Sequence, residues 1–275
     1  MTGRKIALIC RVLGIGRASA YRVEKPRGPR YTKVEDRVVT AQIREVIRTR
    51  ATYGSRRTCA LVNRAFGTAY NGKRIRRVMD IAGWKLPKSA RRRTGRAHTG
   101  QVQRPAANER WCSDVLEVAC WNGEYIQLGF VLDCHDRECL AWTAAPRDLT
   151  ARDIQHLMHH AVTHRFGQGQ RPDAPIQFLS DNGSIYTALD TICTAERLNL
   201  APITTPKSSP QSNGMAEAFV NTLKRDYVSG ADRSEAVALL DQAGLWIDDY
   251  NAIAPHSALG YRSPWQYRSE VLELV

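Results

Sequence analysis

Apolar residues recur at helical spacing in the first third of the chain and at strand spacing only after residue 109. Ile6, Ile9, Cys10 and Leu13 predict a helix. The turn Gly14-Ile15-Gly16 and the segment Arg17–Tyr21 follow, so Lys5–Arg22 forms a first helix-turn-helix candidate. A second candidate is longer. Val39, Ile43, Val46 and Ile47 mark a helix over Asp36–Arg50. The break TYGSRR follows, then a helix through Cys59, Leu61, Val62 and Phe66, then one through Ile75, Val78, Met79 and Ala82. Residues 85–107 lose the periodicity and read as a linker. From Trp111 the pattern alternates. WCSDVLEVAC, the Asn122-Gly123 turn, EYIQLGFVLD and ECLAWTAA predict a three-strand antiparallel meander. Thr150 caps a helix with Ile154, Leu157, Met158, Ala161 and Val162 on one face. PIQFLS reads as a short buried strand, TALDTICTAERLN as helix and LAPITT as strand. Helices follow over Gly214–Val228 and from about Ser234 to Asn251. Hairpin strands followed by alternating helix and strand give an α/β domain with a mixed sheet, behind an all-α front.

Charge changes the picture because it is split. Residues 1–107 carry 27 Lys and Arg against 5 Asp and Glu, a net +22; residues 108–275 carry 13 against 22, a net −9. A basic front of this size points to a polyanion, most simply nucleic acid. Lys73, Arg74, Arg76 and Arg77 open the third helix of the second motif, where they can face phosphates while Ile75 packs inward. The basic linker either follows a DNA backbone or is simply solvated. Composition adds limits. The 275 residues and 43% hydrophobic content suit one large domain with appendages or two domains. No run of about 18 apolar residues occurs, so no membrane span is expected. The first 22 residues do not read as a signal peptide. Seven cysteines without a C-x-x-C pair suit a reducing, cytosolic compartment. No phosphate-binding glycine loop appears, so ATP use is not indicated.

The acidic back poses a separate problem. Asp114 lies in the first predicted strand, Asp181 follows the end of PIQFLS, and Glu217 lies in the first turn of a helix behind the soft loop SSPQSNG. A carboxylate in a first turn complements the helix dipole, which alone accounts for Glu217. An acid at the end of a buried strand, however, is costly unless it is paired or binds metal. Three acids brought to one edge repel, and divalent cations held by hard oxygen ligands resolve that repulsion. Asp133, Asp136 and Glu138 form a competing cluster, although turn chemistry explains Asp133. His156, His160 and His164 recur every four residues on the polar side of their helix; without paired cysteines they read as a solvated or DNA-facing row. Cys134 and Cys139 read as structural.

The segments WCSD, LSDNGS and SPQSNGMAEAF, with 35 residues between Asp181 and Glu217 and Lys224 seven residues after Glu217, resemble the D,D-35-E core of transposases and retroviral integrases. The tail DYNAIAPHSALGYRSPWQY resembles that of bacterial insertion-sequence transposases encoded in two overlapping frames, of which this chain is similar to the second-frame product, OrfB. The resemblance covers nearly the whole chain. It implies an RNase H-like catalytic core with a mixed five-stranded sheet, preceded by helix-turn-helix DNA-binding regions. The expected domains are 1–30 (first motif), 31–84 (second motif), 85–107 (linker) and 108–275 (core with a helical extension). Asp114, Asp181 and Glu217 are implied as catalytic residues and ligands of two Mg²⁺ ions, with Mn²⁺ able to substitute. Lys224 shares the helical face of Glu217 and is implied at phosphate, with Arg225, Gln211, Asn213, Arg56, Arg57, Lys73, Arg74, Arg76 and Arg77 as further DNA contacts. The implied reaction is cleavage and joining of DNA strands at the element's terminal inverted repeats. A DNA-binding repressor with an inactive core, or a stand-alone nuclease, are the alternatives. The implied partners are the DNA ends and target DNA, further copies of the chain, and the first-frame product OrfA or a frameshift fusion with it. The expected location is the bacterial cytoplasm, at the nucleoid. One departure from many relatives is Leu116, where they carry Thr, followed by Glu117.

Overall fold

The computed structural model describes residues 3–14, 16, 31–87, 104–205 and 213–272. The chain divides into two compact units, Met1–Arg37 and Val38–Val275. In the first, α1 (Gly3–Val12) forms where the apolar spacing predicts it. The remainder of the first helix-turn-helix candidate lies mostly outside the described residues, as does most of the linker. Among the described residues no helix is long and apolar enough to cross a membrane.

The front of the second unit is a three-helix cluster: α2 (Asp36–Thr49), α3 (Ser55–Phe66) and α4 (Gly72–Ile81). Val39, Ile43, Tyr53, Leu61, Val62, Ile75, Val78 and Met79 form its core. Gly67 closes α3 in the left-handed conformation, φ 59°, which favours a residue without Cβ. Asn71 caps α4 by accepting a hydrogen bond from the Lys73 amide at 2.8 Å.

Behind it lies a five-stranded sheet: β1 (Arg110–Ala119), β2 (Tyr125–Asp133), β3 (Cys139–Ala145), β4 (Ile176–Ser180) and β5 (Leu200–Thr204), in the order β3-β2-β1-β4-β5. The first three strands are the antiparallel meander; β4 joins β1 in parallel, and β5 joins β4 in parallel. Gly123 turns the first hairpin with φ 92°. Gly129 serves close packing instead, since a Cβ there would lie 3.0 Å from Leu149.

Each face of the sheet is covered by helices, which is why its strands carry apolar residues on both sides. On one face lie α5 (Ala151–Phe166), α6 (Ser184–Thr187) and α7 (Leu189–Arg197), packed against Trp111, Val131, Ile176 and Phe178. Thr150 begins α5 with a reciprocal capping box to Asp153. On the other face lie α8 (Gly214–Asp226) and α9 (Ala236–Ala252). There Phe219, Leu223, Leu239 and Trp246 meet Cys112, Leu116, Leu128 and Phe130. Leu116 is 1% exposed in this layer, so its apolar side chain serves packing. A short α10 (Pro264–Tyr267) follows.

The three-helix cluster is docked on this second layer through acids. Asp226 at the end of α8 accepts hydrogen bonds from Arg57 at 2.6 Å and from Thr52 at 2.6 Å. The Arg57 guanidinium also stacks 3.8 Å from the Tyr53 ring. Asp249 on α9 pairs with Arg50 and accepts from the Tyr227 hydroxyl. Arg64 donates to the carbonyls of Ile253 and Tyr261 at 3.1 and 3.0 Å. Burial alone would raise the Asp226 carboxyl; hydrogen bonds from Arg225, Arg57 and Thr52 outweigh it and hold it below its usual range.

Candidate active site

Asp114 lies on β1, and Asp181 lies just past the end of the neighbouring parallel strand β4. The last paired residues of β1 and β4 are Cys112 and Leu179, and each aspartate lies two residues further on. Side chains alternate along a strand. Cys112 and Leu179 both face α8 and α9, so Asp114 and Asp181 continue the same face. The charge of Asp181 acts on Asp114. The Asp114 carboxyl is raised above its usual range, chiefly by burial and further by Asp181; a hydrogen bond from the Val115 amide and the charge of Lys224 work against the rise. Asp181 is exposed and accepts a hydrogen bond from the Gly183 amide at 2.9 Å, which forms the sharp turn after β4.

Glu217 lies exposed in the first turn of α8, the helix that covers this face. The start of α8 is tied to β1 beside Asp114: Asn213 donates from its side-chain amide to the Ser113 carbonyl at 3.2 Å. The Ser113 hydroxyl in turn bonds the Tyr186 hydroxyl at 2.8 Å. The structure thus brings Asp114 and Asp181 together, with Lys224 near enough to act on Asp114. It does not gather all three acids: among the described residues no group of three His, Cys, Asp or Glu side chains is set to hold a metal ion.

The competing acids are employed otherwise. Asp133 accepts from the Asn108 amide, the Trp111 indole and the His135 amide. Asp136 and Glu138 surround Arg165, whose side chain is 3% exposed, with N···O separations of 3.0 and 3.1 Å, and Arg268 joins them. Burial and Asp133 push the Asp136 carboxyl up to about 6 despite Arg165. This cluster already contains its cations. His156, His160 and His164 are all exposed, and His164 in addition bonds Glu138 at 2.9 Å at the edge of this network. Cys134 and Cys139 are free and buried in the core.

The residues expected at DNA divide. Lys73, Arg76 and Arg56 are exposed, and Arg74 lies over the Tyr70 ring at 5.3 Å. Arg77 is only 7% exposed, because it shares the inward side of α4 with Val78 and Met79, so it is not a surface cation. Arg57 and Arg225 both clasp Asp226. Asn213 is buried and holds Ser113. Gln211 lies outside the described residues. Sequence reasoning passed over Arg137, whose left-handed backbone, φ 62°, has no signature in a run such as CHDREC.

Comparison with known proteins agrees with this architecture. A family model described as an integrase core domain matches residues 104–210, a second model of the same description matches 199–264, and an HTH-like domain matches 33–93. The transposase InsD of insertion element IS2 from Escherichia coli is 38% identical over 275 residues, covering 96% of this chain and 91% of that one. The chain belongs to the insertion-element transposases with an integrase core. An uncharacterised protein of insertion element IS136 from Agrobacterium fabrum is 51% identical over 183 residues, covering 66% of this transposase and 93% of that protein. Among solved structures, a chain of a simian T-cell lymphotropic virus intasome complex overlays with a TM-score of 0.50 and 16% identity. That match covers 85% of this chain and 76% of that one, and it places the fold among RNase H-like cores. The transposase is therefore a polynucleotidyl transferase by family, and a repressor with an inactive core or a stand-alone nuclease is not favoured.

Proposed function

We propose that this transposase cuts and joins DNA strands at the ends of its own element, using Asp114, Asp181 and Glu217 as one divalent-metal site. The observation that carries the reading is the pair formed by Asp114 on β1 and Asp181 at the end of the adjacent strand β4. They face the same helix, and among the described residues no arginine neutralises Asp114. The donor set is all carboxylate oxygen, which fits Mg²⁺, two ions per site, with Mn²⁺ as a substitute. Bound there, the metal pair would activate the attacking hydroxyl and stabilise the leaving oxygen of an in-line displacement. The protein's own part is positional. Asp114 and Asp181 supply a fixed floor on the sheet, Glu217 completes the ligand set from α8, and Lys224 holds a phosphate beside the scissile bond. Rotation of the Glu217 side chain on substrate would bring the third acid in.

In this reading residues 31–84 recognise the DNA ends and residues 108–275 carry the chemistry, with 1–30 as a further DNA-binding segment and 85–107 as the linker. The enzyme acts as a multimer, because two ends must be held together, and works with the first-frame product or fused to it at the nucleoid. The test is incubation with labelled terminal-repeat duplexes and Mg²⁺. Joined strands are expected. Nicks alone would point to a nuclease and binding alone to a repressor, and either result overturns the proposal.

A further inference from the structure

A groove of 860 Å³ runs between the three-helix cluster and the catalytic layer, and among the described residues no carboxylate lines it. Arg56, Lys73 and Arg76 face it from α3 and α4, and Arg137 faces it from the turn between β2 and β3. Three further cations on its walls are already paired: Arg57 and Arg225 with Asp226, and Lys85 with Asp80. The four others have no carboxylate partner among the described residues.

Arg137 is the unusual member. Asp136 and Glu138, on either side of it, are drawn into the buried cluster around Arg165. The chain between them turns through Arg137 itself, in the left-handed region at φ 62°, and among the described residues its guanidinium forms no ion pair with either acid. Its Nε is buried without a hydrogen-bond partner. It also stands near His256, whose side chain is held well below its usual range, to about 3, by burial and then by the Arg137 charge. A half-buried guanidinium with an unmet donor and a costly backbone conformation calls for an anion. A planar guanidinium matches phosphate oxygens in particular.

We propose that this groove seats a phosphate backbone of duplex DNA. Arg137 of the catalytic domain and Arg56, Lys73 and Arg76 of the helix-turn-helix region grip the same strand. The inference rests on the transposase reading and deepens it. DNA recognition is then not confined to the front: one backbone is held jointly by the recognition region and the domain that performs the chemistry.

The test is the salt dependence of binding to a short fluorescent duplex of arbitrary sequence, measured on the full chain in EDTA between about 50 and 200 mM salt. Removing a single cation from a phosphate should flatten the slope of log affinity against log salt by about 0.9. Arg137→Gly suits the left-handed backbone and should keep the wild-type melting temperature while flattening the slope by about that amount. Arg137→Asn, also tolerated at positive φ, removes the same charge should the glycine variant melt early. Arg137→Lys should retain the slope. The triple variant Arg56→Gln, Lys73→Gln, Arg76→Gln should flatten it by about 2.7. If a folded Arg137→Gly or Arg137→Asn protein binds with unchanged slope and affinity, the composite seat is wrong, whatever the triple variant does. Because EDTA removes the metal, that failure is distinct from failure of the catalytic reading, which would show as absent strand joining with the slopes as expected.

Discussion

Two groups of acids on one sheet have met the same physical problem in opposite ways. Asp133, Asp136 and Glu138 are buried and enclose Arg165, with Arg268, His164 and Trp265 completing their hydrogen bonds. Asp114 has no such guanidinium among the described residues; a backbone amide and the more distant Lys224 ease its charge, while Asp181 adds to the load. The difference separates structure from function better than acidity does. A carboxylate cluster that carries its own cations is a strut. One left short of cations is the candidate for the metal seat proposed above.

The contrast can be broken in several ways. The largest effect is expected from Arg165→Met. Removing the central cation leaves three carboxylates buried together and should cost about 3–5 kcal/mol of stability, read by chemical denaturation. A loss below about 1 kcal/mol would mean that the cluster is not structural. Next come Asp114→Asn, Asp181→Asn and Glu217→Gln. Each should lower strand joining at least about a hundredfold, about 2.7 kcal/mol of transition-state stabilisation, while end binding persists. Near-native joining by any one of them removes that residue from the site. Lys224→Ala should melt like the wild type yet join strands about tenfold more slowly; equal activity would return Lys224 to the solvated surface.

The smallest effect concerns protons. The Asp114 carboxyl is raised from its usual 3.8 by burial and Asp181. A raised folded pKa favours the folded state while the group is protonated, and that advantage is lost as pH rises through the folded value. Without metal, Asp114→Asn should therefore gain on the wild type in thermal melts as pH rises above about 4. Added Mg²⁺ should stabilise the wild type but not the variant. A pH-independent difference would show that Asp114 is not under electrostatic load.

Much of this was legible in the order of residues. The meander, the Thr150 cap and the alternation through β1 all follow from local periodicity, which a sequence displays directly. First-strand placement and the Trp-x-x-Asp context make Asp114 a candidate ligand, which the Asp114→Asn variant tests. Arg165 could not be named as the partner of Asp136, because that pairing joins a helix to a turn 29 residues away. Nor could Arg77 be told from Arg76: adjacent and identical in type, one is buried and one exposed only because the helix turns about 100° per residue against a particular neighbour. Asn213, read as a DNA contact from its polar loop, instead fastens α8 to Ser113. Polarity marks what a side chain can bond; the fold decides with whom.

The docking of the three-helix cluster has a consequence for modular exchange. Here the seam runs through ion pairs: Asp226, 1% exposed in its side chain, depends on Arg57 from the other side, and Asp249 on Arg50. A foreign module joined at residue 85 would arrive without those two arginines and leave Asp226 with Arg225 alone and Asp249 with the Tyr227 hydroxyl alone at the cut. Only a donor that brings basic side chains to the same two points could be accepted, so the interface restricts which grafts survive, whatever DNA sequence the donor reads.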